Sequence, residues 1–147
     1  MESITVSWEQ YHQNSIALGK KVQSGGFNPD IIVCISRGGL PIGLMLSEWL
    51  KKPLGVITVQ SYDGTQQGEL RLDARVSSLY PIRGNILLAD DLVDSGKTLE
   101  RTKSYLDGFG KVKTAVMFRK EGACFEPDFY AKDMPKGKWI IFPYSHE

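Results

Sequence analysis

Three aspartates stand close together in LLADDLVDSGKTLE, residues 87–100: Asp90 and Asp91 at the end of an apolar run, and Asp94 opening the turn Asp94-Ser95-Gly96-Lys97-Thr98. The Gly-Lys-Thr triplet matches the tail of a nucleotide-binding P-loop. That loop also needs a glycine five positions ahead of the second one, so that its backbone can fold around a β-phosphate. Here that position is Asp91, whose carboxylate brings bulk and negative charge where close backbone approach is required. What survives is a strand ending in two acids, a short turn, and a helix beginning near Thr98. The backbone N–H groups at such a helix start form an anion nest, to which Ser95 and Thr98 add hydroxyls, while Gly96 permits close approach. This is a cradle for a monophosphate. Asp90 and Asp91 suit accepting hydrogen bonds from paired hydroxyls or holding Mg²⁺. A sugar phosphate satisfies both halves.

The elements that must carry these residues follow from periodicity. Ser7 is placed to cap a first helix with Gln10 at the capping-box position, and Trp8, Tyr11, Ser15, Leu18 and Val22 repeat at helical spacing up to Gly25-Gly26. The run Ile31-Ile35 reads as a buried strand, with Cys34 a small core residue within it. Ser36-Arg37-Gly38-Gly39 is a turn into a second helix that has Pro41 in its first turn and Leu44, Leu46, Trp49 and Leu50 on its apolar side. Further strands are expected over 54–60, 85–89, 112–118 and 138–142, and a helix over 98–106. Residues 61–83 are polar, glycine-bearing and too long for an ordinary connection, so they read as a functional excursion. Strands alternating with helices predict one α/β domain over residues 1–147, its twisted sheet mostly parallel and flanked by helices. Ligands in such folds bind beyond the carboxyl ends of the strands. The segments 36–39, 61–73 and 90–98 all begin there.

Composition narrows the function classes. With 41% hydrophobic and 24% charged residues the chain has the makeup of a soluble globular protein, and a net charge of +1 disfavours a nucleic-acid partner. No apolar run is long enough for a membrane span and the N-terminus lacks the pattern of a signal peptide, so stable membrane insertion is not expected and the expected location is cytoplasmic. Cys34 and Cys124 form no CxxC, and His12 and His146 lie near opposite ends, so a zinc site has little support.

ILLADDLVDSGKT resembles the phosphoribosyl pyrophosphate signature of type I phosphoribosyltransferases, in which an apolar strand runs into two acids and a D-[ST]-G-x-T loop. The resemblance extends through TVSWEQYHQ, ISRGGLPIG, SYDGTQQGEL, MFRKEG and the late KWI, and is strongest to the bacterial xanthine-guanine enzymes. It implies a Mg²⁺-dependent transfer of phosphoribosyl from phosphoribosyl pyrophosphate to a 6-oxopurine, with a homodimer or homotetramer as the assembly. Site roles follow from the same source. Ser36, Arg37 and Gly38 would bind pyrophosphate, at a turn where the family has a cis peptide. Residues 61–73 would form a lid carrying Ser61, Tyr62 and Arg71. Residues 95–98, Lys97 among them, would hold the 5′-phosphate; Asp90 and Asp91 would take the ribose hydroxyls, with Asp91 also contacting the metal. Asp94 would act as acid-base residue. A C-terminal hood over 120–147 would bind the base through Lys120, stacking on Trp139 and the carbonyl of Ile140. Gly68 departs from the family, whose arginine there would have to be replaced by Arg71 or Arg75. The tail IIFPYSHE also departs, lacking the acids that follow W-I in the enzymes compared. Two other readings stay open: a regulator that senses phosphoribosyl pyrophosphate without catalysis, and a transferase for another base.

Overall fold

The apolar run Ile31–Ile35 is buried along its whole length because the sheet it sits in is covered on both faces. The computed structural model describes residues 2–62 and 71–146, the side chains of 61, 62 and 71–73 excepted. Its elements in order are β1 (Ser3–Thr5), α1 (Trp8–Ser24), β2 (Ile31–Ser36), α2 (Leu40–Leu50), β3 (Leu54–Tyr62), β4 (Arg71–Ser77), β5 (Gly84–Val93), α3 (Lys97–Leu106), β6 (Gly110–Lys120), β7 (Phe129–Met134) and β8 (Trp139–Ile141).

Six strands form the main sheet in the order β4-β3-β2-β5-β6-β7. All neighbours are parallel except β4, which runs antiparallel to β3. Alternate side chains of β2 point to opposite faces and sort the core in two. Ile32 and Cys34 join Tyr11, Leu18 and Val22 of α1 and Ile42 and Leu46 of α2. Ile31, Val33 and Ile35 join Leu99 and Leu106 of α3. Cys34 is fully buried against Gly43, and burial pushes its thiol up to about 11, the behaviour of a core residue.

Helix α1 begins as its sequence dictates: the Ser7 side chain accepts from the Gln10 backbone N–H at 3.1 Å, and the Gln10 side chain accepts from the Ser7 N–H at 2.9 Å. Helix α2 departs from expectation. Leu46 is buried, but Leu44 is 54% exposed and Trp49 is half-exposed, its indole lying on Gly19 of α1 and donating to Gln23. The helix is apolar nearly all round, so periodicity gave no way to choose the inward face.

Two further corrections concern strands. Residues 61–62 and 71–77, read as loop, are paired strand, with Ser61 opposite Leu72 and Tyr62 opposite Arg71. Within the expected hood, 129–134 is β7 and belongs to the main sheet. The hood is instead a separate two-stranded sheet in which β8 pairs with the N-terminal β1, Ser3 opposite Trp139 and Thr5 opposite Ile141. No helix among the described residues is long and apolar enough to cross a membrane.

Candidate active site

From β2 the chain moves to β3 on one side, whereas β5 lies on the other side of β2. The loops leaving β2 and β5 therefore part at a switch point, and a crevice opens between them at the carboxyl edge. A cleft of about 750 Å³ occupies that position, lined by Arg37, Gly38, Asp91, Asp94, Lys120, Trp139 and Ile140, with Leu40, Pro41, Leu92, Phe142 and the tail residues 144–146 also in its walls.

The β2 turn is tight. The peptide between Ser36 and Arg37 is cis, as the family resemblance implied. Ser36 pairs its hydroxyl with that of Thr58 on β3 at 2.6 Å, while Arg37 is exposed towards the cleft. Gly38 is needed here: a Cβ at this position would come within 2.5 Å of the Asp91 carboxylate.

Strand β5 continues past both acids to Val93, so Asp90 and Asp91 lie within the strand and not in the turn after it. Of the two only Asp91 lines the cleft, together with Leu92 beside it. Asp90 lies behind it, and its carboxylate accepts the Asp91 backbone N–H at 2.9 Å. Burial pushes the Asp90 carboxyl well above its ordinary value, with the neighbouring Asp91 charge adding to the effect. Asp91 is raised as well, chiefly by burial.

Gly96 caps α3 with a φ of 92°, a left-handed conformation that favours glycine, and any side chain there would run into Phe125. The Ser95 hydroxyl accepts the Lys97 N–H at 3.3 Å, and the Ser95 carbonyl accepts the Cys124 N–H at 3.0 Å. The loop after β6 thus braces the turn from behind. Helix α3 starts at Lys97, one residue before the expected Thr98; both side chains are exposed. Residues 95–98 flank the cleft and do not line it, and Ser36 is likewise set back.

At the other end, Lys120 is the last residue of β6, nearly buried, with its ammonium 3.8 Å from an Asp94 carboxylate oxygen. Trp139 is 55% exposed, which leaves a ring face free to stack. The Trp139 N–H donates to Glu2 and the Ile141 carbonyl accepts from Val6, so both residues turn their backbone groups towards β1. Alternation then directs the N–H and carbonyl of Ile140 away from β1. The expected lid is described only at its stems: 63–70 lie outside the described residues, and for Ser61, Tyr62 and Arg71 only the strand backbone is given. Arg75 sits on β4 opposite Thr58, beside a different surface depression.

Phe142 and Tyr144 were not singled out from sequence. Both continue the every-second-residue pattern from Ile140, and that spacing was the available signal.

A family model described as phosphoribosyl transferase domain matches residues 7–147. This chain belongs to the phosphoribosyltransferase family. Among curated relatives, a xanthine-guanine phosphoribosyltransferase of Cereibacter sphaeroides is 33% identical over 95% of this chain and 85% of its own length, and one of Ruegeria is 32% identical over 95% and 84%. Among solved structures, a purine phosphoribosyltransferase from Pyrococcus horikoshii superimposes with a TM-score of 0.83 at 28% identity, over 100% of this chain and 96% of that one. The xanthine-guanine-hypoxanthine phosphoribosyltransferase of Helicobacter pylori gives 0.81 at 30% identity, over 96% and 92%. The phosphoribosyltransferase fold and the placement of its signature strand therefore rest on both the chain's own geometry and its relatives.

Proposed function

We infer that this phosphoribosyltransferase transfers phosphoribosyl from phosphoribosyl pyrophosphate to N9 of a 6-oxopurine. The observation that carries the reading is the pairing of Lys120 with Asp94 at one end of the cleft, beside an exposed Trp139. A 6-oxopurine presents its oxygen and N7 side by side on one edge. An ammonium donor 3.8 Å from a carboxylate acceptor is matched to that edge when N7 carries the proton. Trp139 offers the stacking face, and the outward-turned carbonyl of Ile140 an acceptor for a ring N–H. The relatives named for xanthine and guanine support the same class of base.

The phosphoribosyl end is assigned by anion chemistry. Amides at the start of α3 with the Ser95 and Thr98 hydroxyls would take the 5′-phosphate. Arg37 and the backbone at Gly38 would take pyrophosphate. Asp91, with Asp90 behind it, would accept from the ribose hydroxyls. Mg²⁺ fits this donor set, because the crowded carboxylates are hard oxygen ligands, and the ion ordinarily takes one or two carboxylates together with substrate phosphates. Asp91 would hold it, and when bound it would offset charge on the departing pyrophosphate.

Transfer is a displacement at C1′. The C1′–O bond to pyrophosphate breaks with its electron pair leaving on oxygen, the N9 lone pair forms the new bond, and the N7 proton passes to Asp94. Lys120 holds the 6-oxo group as charge redistributes over the purine. A cytoplasmic salvage role follows from these substrates.

Parallel steady-state assays with guanine, hypoxanthine and xanthine, each with phosphoribosyl pyrophosphate and Mg²⁺, test the reading; nucleoside monophosphate and pyrophosphate are the expected products. Asp94→Asn should lower kcat by about a hundredfold or more, the scale of a lost proton acceptor, with little change in phosphoribosyl pyrophosphate affinity. No turnover with any of the three bases would reject the assignment.

A further inference from the structure

The C-terminal tail returns from the base end of the cleft to its sugar end, and Tyr144 is where it lands. Its hydroxyl lies 3.2 Å from the Gly38 carbonyl and 3.3 Å from the Asp91 carboxylate. Both separations are longer than the usual 2.7–2.8 Å for a hydroxyl donor. A phenol has one hydrogen, and the pattern is that of one hydrogen shared between two acceptors.

The ring is held so that this position is fixed. It stacks on Phe142 at 5.2 Å with planes 9° apart, meets Tyr11 edge-on at 5.9 Å, and lies 6.3 Å from Trp8. A turn in which the Ser145 N–H donates to the Phe142 carbonyl at 2.9 Å sets the direction of approach. Gly38 lies against the same Asp91 oxygen that Tyr144 meets, and leaves no room for a side chain. The Asp91 carboxylate, the turn at Gly38 and a tail residue held by an aromatic cluster therefore meet at one point.

We propose that Tyr144 is a positioning residue that orients Asp91 for the ribose of phosphoribosyl pyrophosphate and ties the base-binding tail to the pyrophosphate turn. The proposal rests on the transferase reading above. Tyr144 touches neither substrate in this role; it sets the rotamer of the carboxylate that does. The shared hydrogen suits that task, since Asp91 is steadied while its remaining lone pairs stay open towards the cleft.

Tyr144→Phe keeps the ring and its stacking and removes only the hydroxyl. Calorimetric titration with phosphoribosyl pyrophosphate, without purine, should show Kd raised about tenfold, the scale of one hydrogen bond to a charged group. The KM for phosphoribosyl pyrophosphate should rise in parallel, while kcat and the purine KM stay within about twofold and the melting temperature stays near wild type. A Kd unchanged within twofold overturns the proposal, as does equal weakening of both substrates together with a lowered melting temperature, which marks a merely structural residue. Hydrogen exchange on the wild-type protein supplies a readout independent of the variant: saturating phosphoribosyl pyrophosphate should slow the amides of 144–146, and unchanged exchange there counts against the latch. Wild-type turnover, measured alongside, reports separately on the transferase reading.

Discussion

Asp90 is the residue whose proposed role and whose burial pull in opposite directions. Its carboxyl is pushed well above the ordinary range by burial and by the adjacent Asp91. Within that raised window the folded state holds a proton that the unfolded chain has lost, so stability falls as pH rises from about 4 through the folded value. Asp90→Asn escapes this loss. In buffer free of divalent cations and ligand, thermal unfolding at neutral pH should give a melting temperature above wild type. The advantage should shrink steadily as pH is lowered and vanish below about pH 4, where both states are protonated. A lower melting temperature at neutral pH would mean that the Asp91 N–H bond to the Asp90 carboxylate outweighs the charge crowding. The same variant should bind phosphoribosyl pyrophosphate poorly, which places its stability gain and functional loss in one side chain.

At the scale of elements, the hood shows what a linear reading catches and what escapes it. Signals confined to a few neighbouring residues were legible: the Ser7-Gln10 capping box, the all-apolar β2, and the acid-acid-turn-helix order of β5 and α3. Strands β4 and β7 escaped because they are the sheet's outer edges, where charged residues such as Arg71, Asp73, Lys132 and Asp133 are favoured over an apolar run. Strand β1 escaped because three residues carry no period; its existence depends on β8, more than a hundred positions away. The site divides the same way. The phosphate turn is contiguous and readable, whereas the support given to Asp91 by Tyr144 comes from a long-range contact. The β1·β8 ladder also predicts a behaviour. Ile4→Pro removes a strand N–H in the middle of a three-residue ladder. It should loosen Trp139 and Ile140 and raise the purine KM severalfold, leaving the Kd for phosphoribosyl pyrophosphate nearly unchanged. Equal change in both constants would show that the hood does not act as a separate unit.

For the whole molecule, the strand order decides where ligands are felt. Because β3 and β5 lie on opposite sides of β2, the turn at 36–39 and the turn at 94–97 flank one crevice yet belong to different crossovers. The two phosphate-bearing ends of phosphoribosyl pyrophosphate would thus be gripped by independent backbone segments, with the purine gripped by a third, the hood. Ligands that carry only some of these groups should leave separate footprints. Hydrogen exchange with Mg²⁺ and pyrophosphate alone should slow amides at 37–40 and leave 97–99 near their free rates. A nucleoside monophosphate such as the guanine nucleotide should do the converse, slowing the first-turn amides of α3, which have no partner inside the helix, together with 138–141. At a hundred times its Kd each ligand stabilises the fold by about 2.7 kcal/mol, enough to register as a rise in melting temperature and to confirm occupancy in the same samples. Protection of all three segments by pyrophosphate alone would mean that the loops respond as one body, and the division of labour read from the topology would fall.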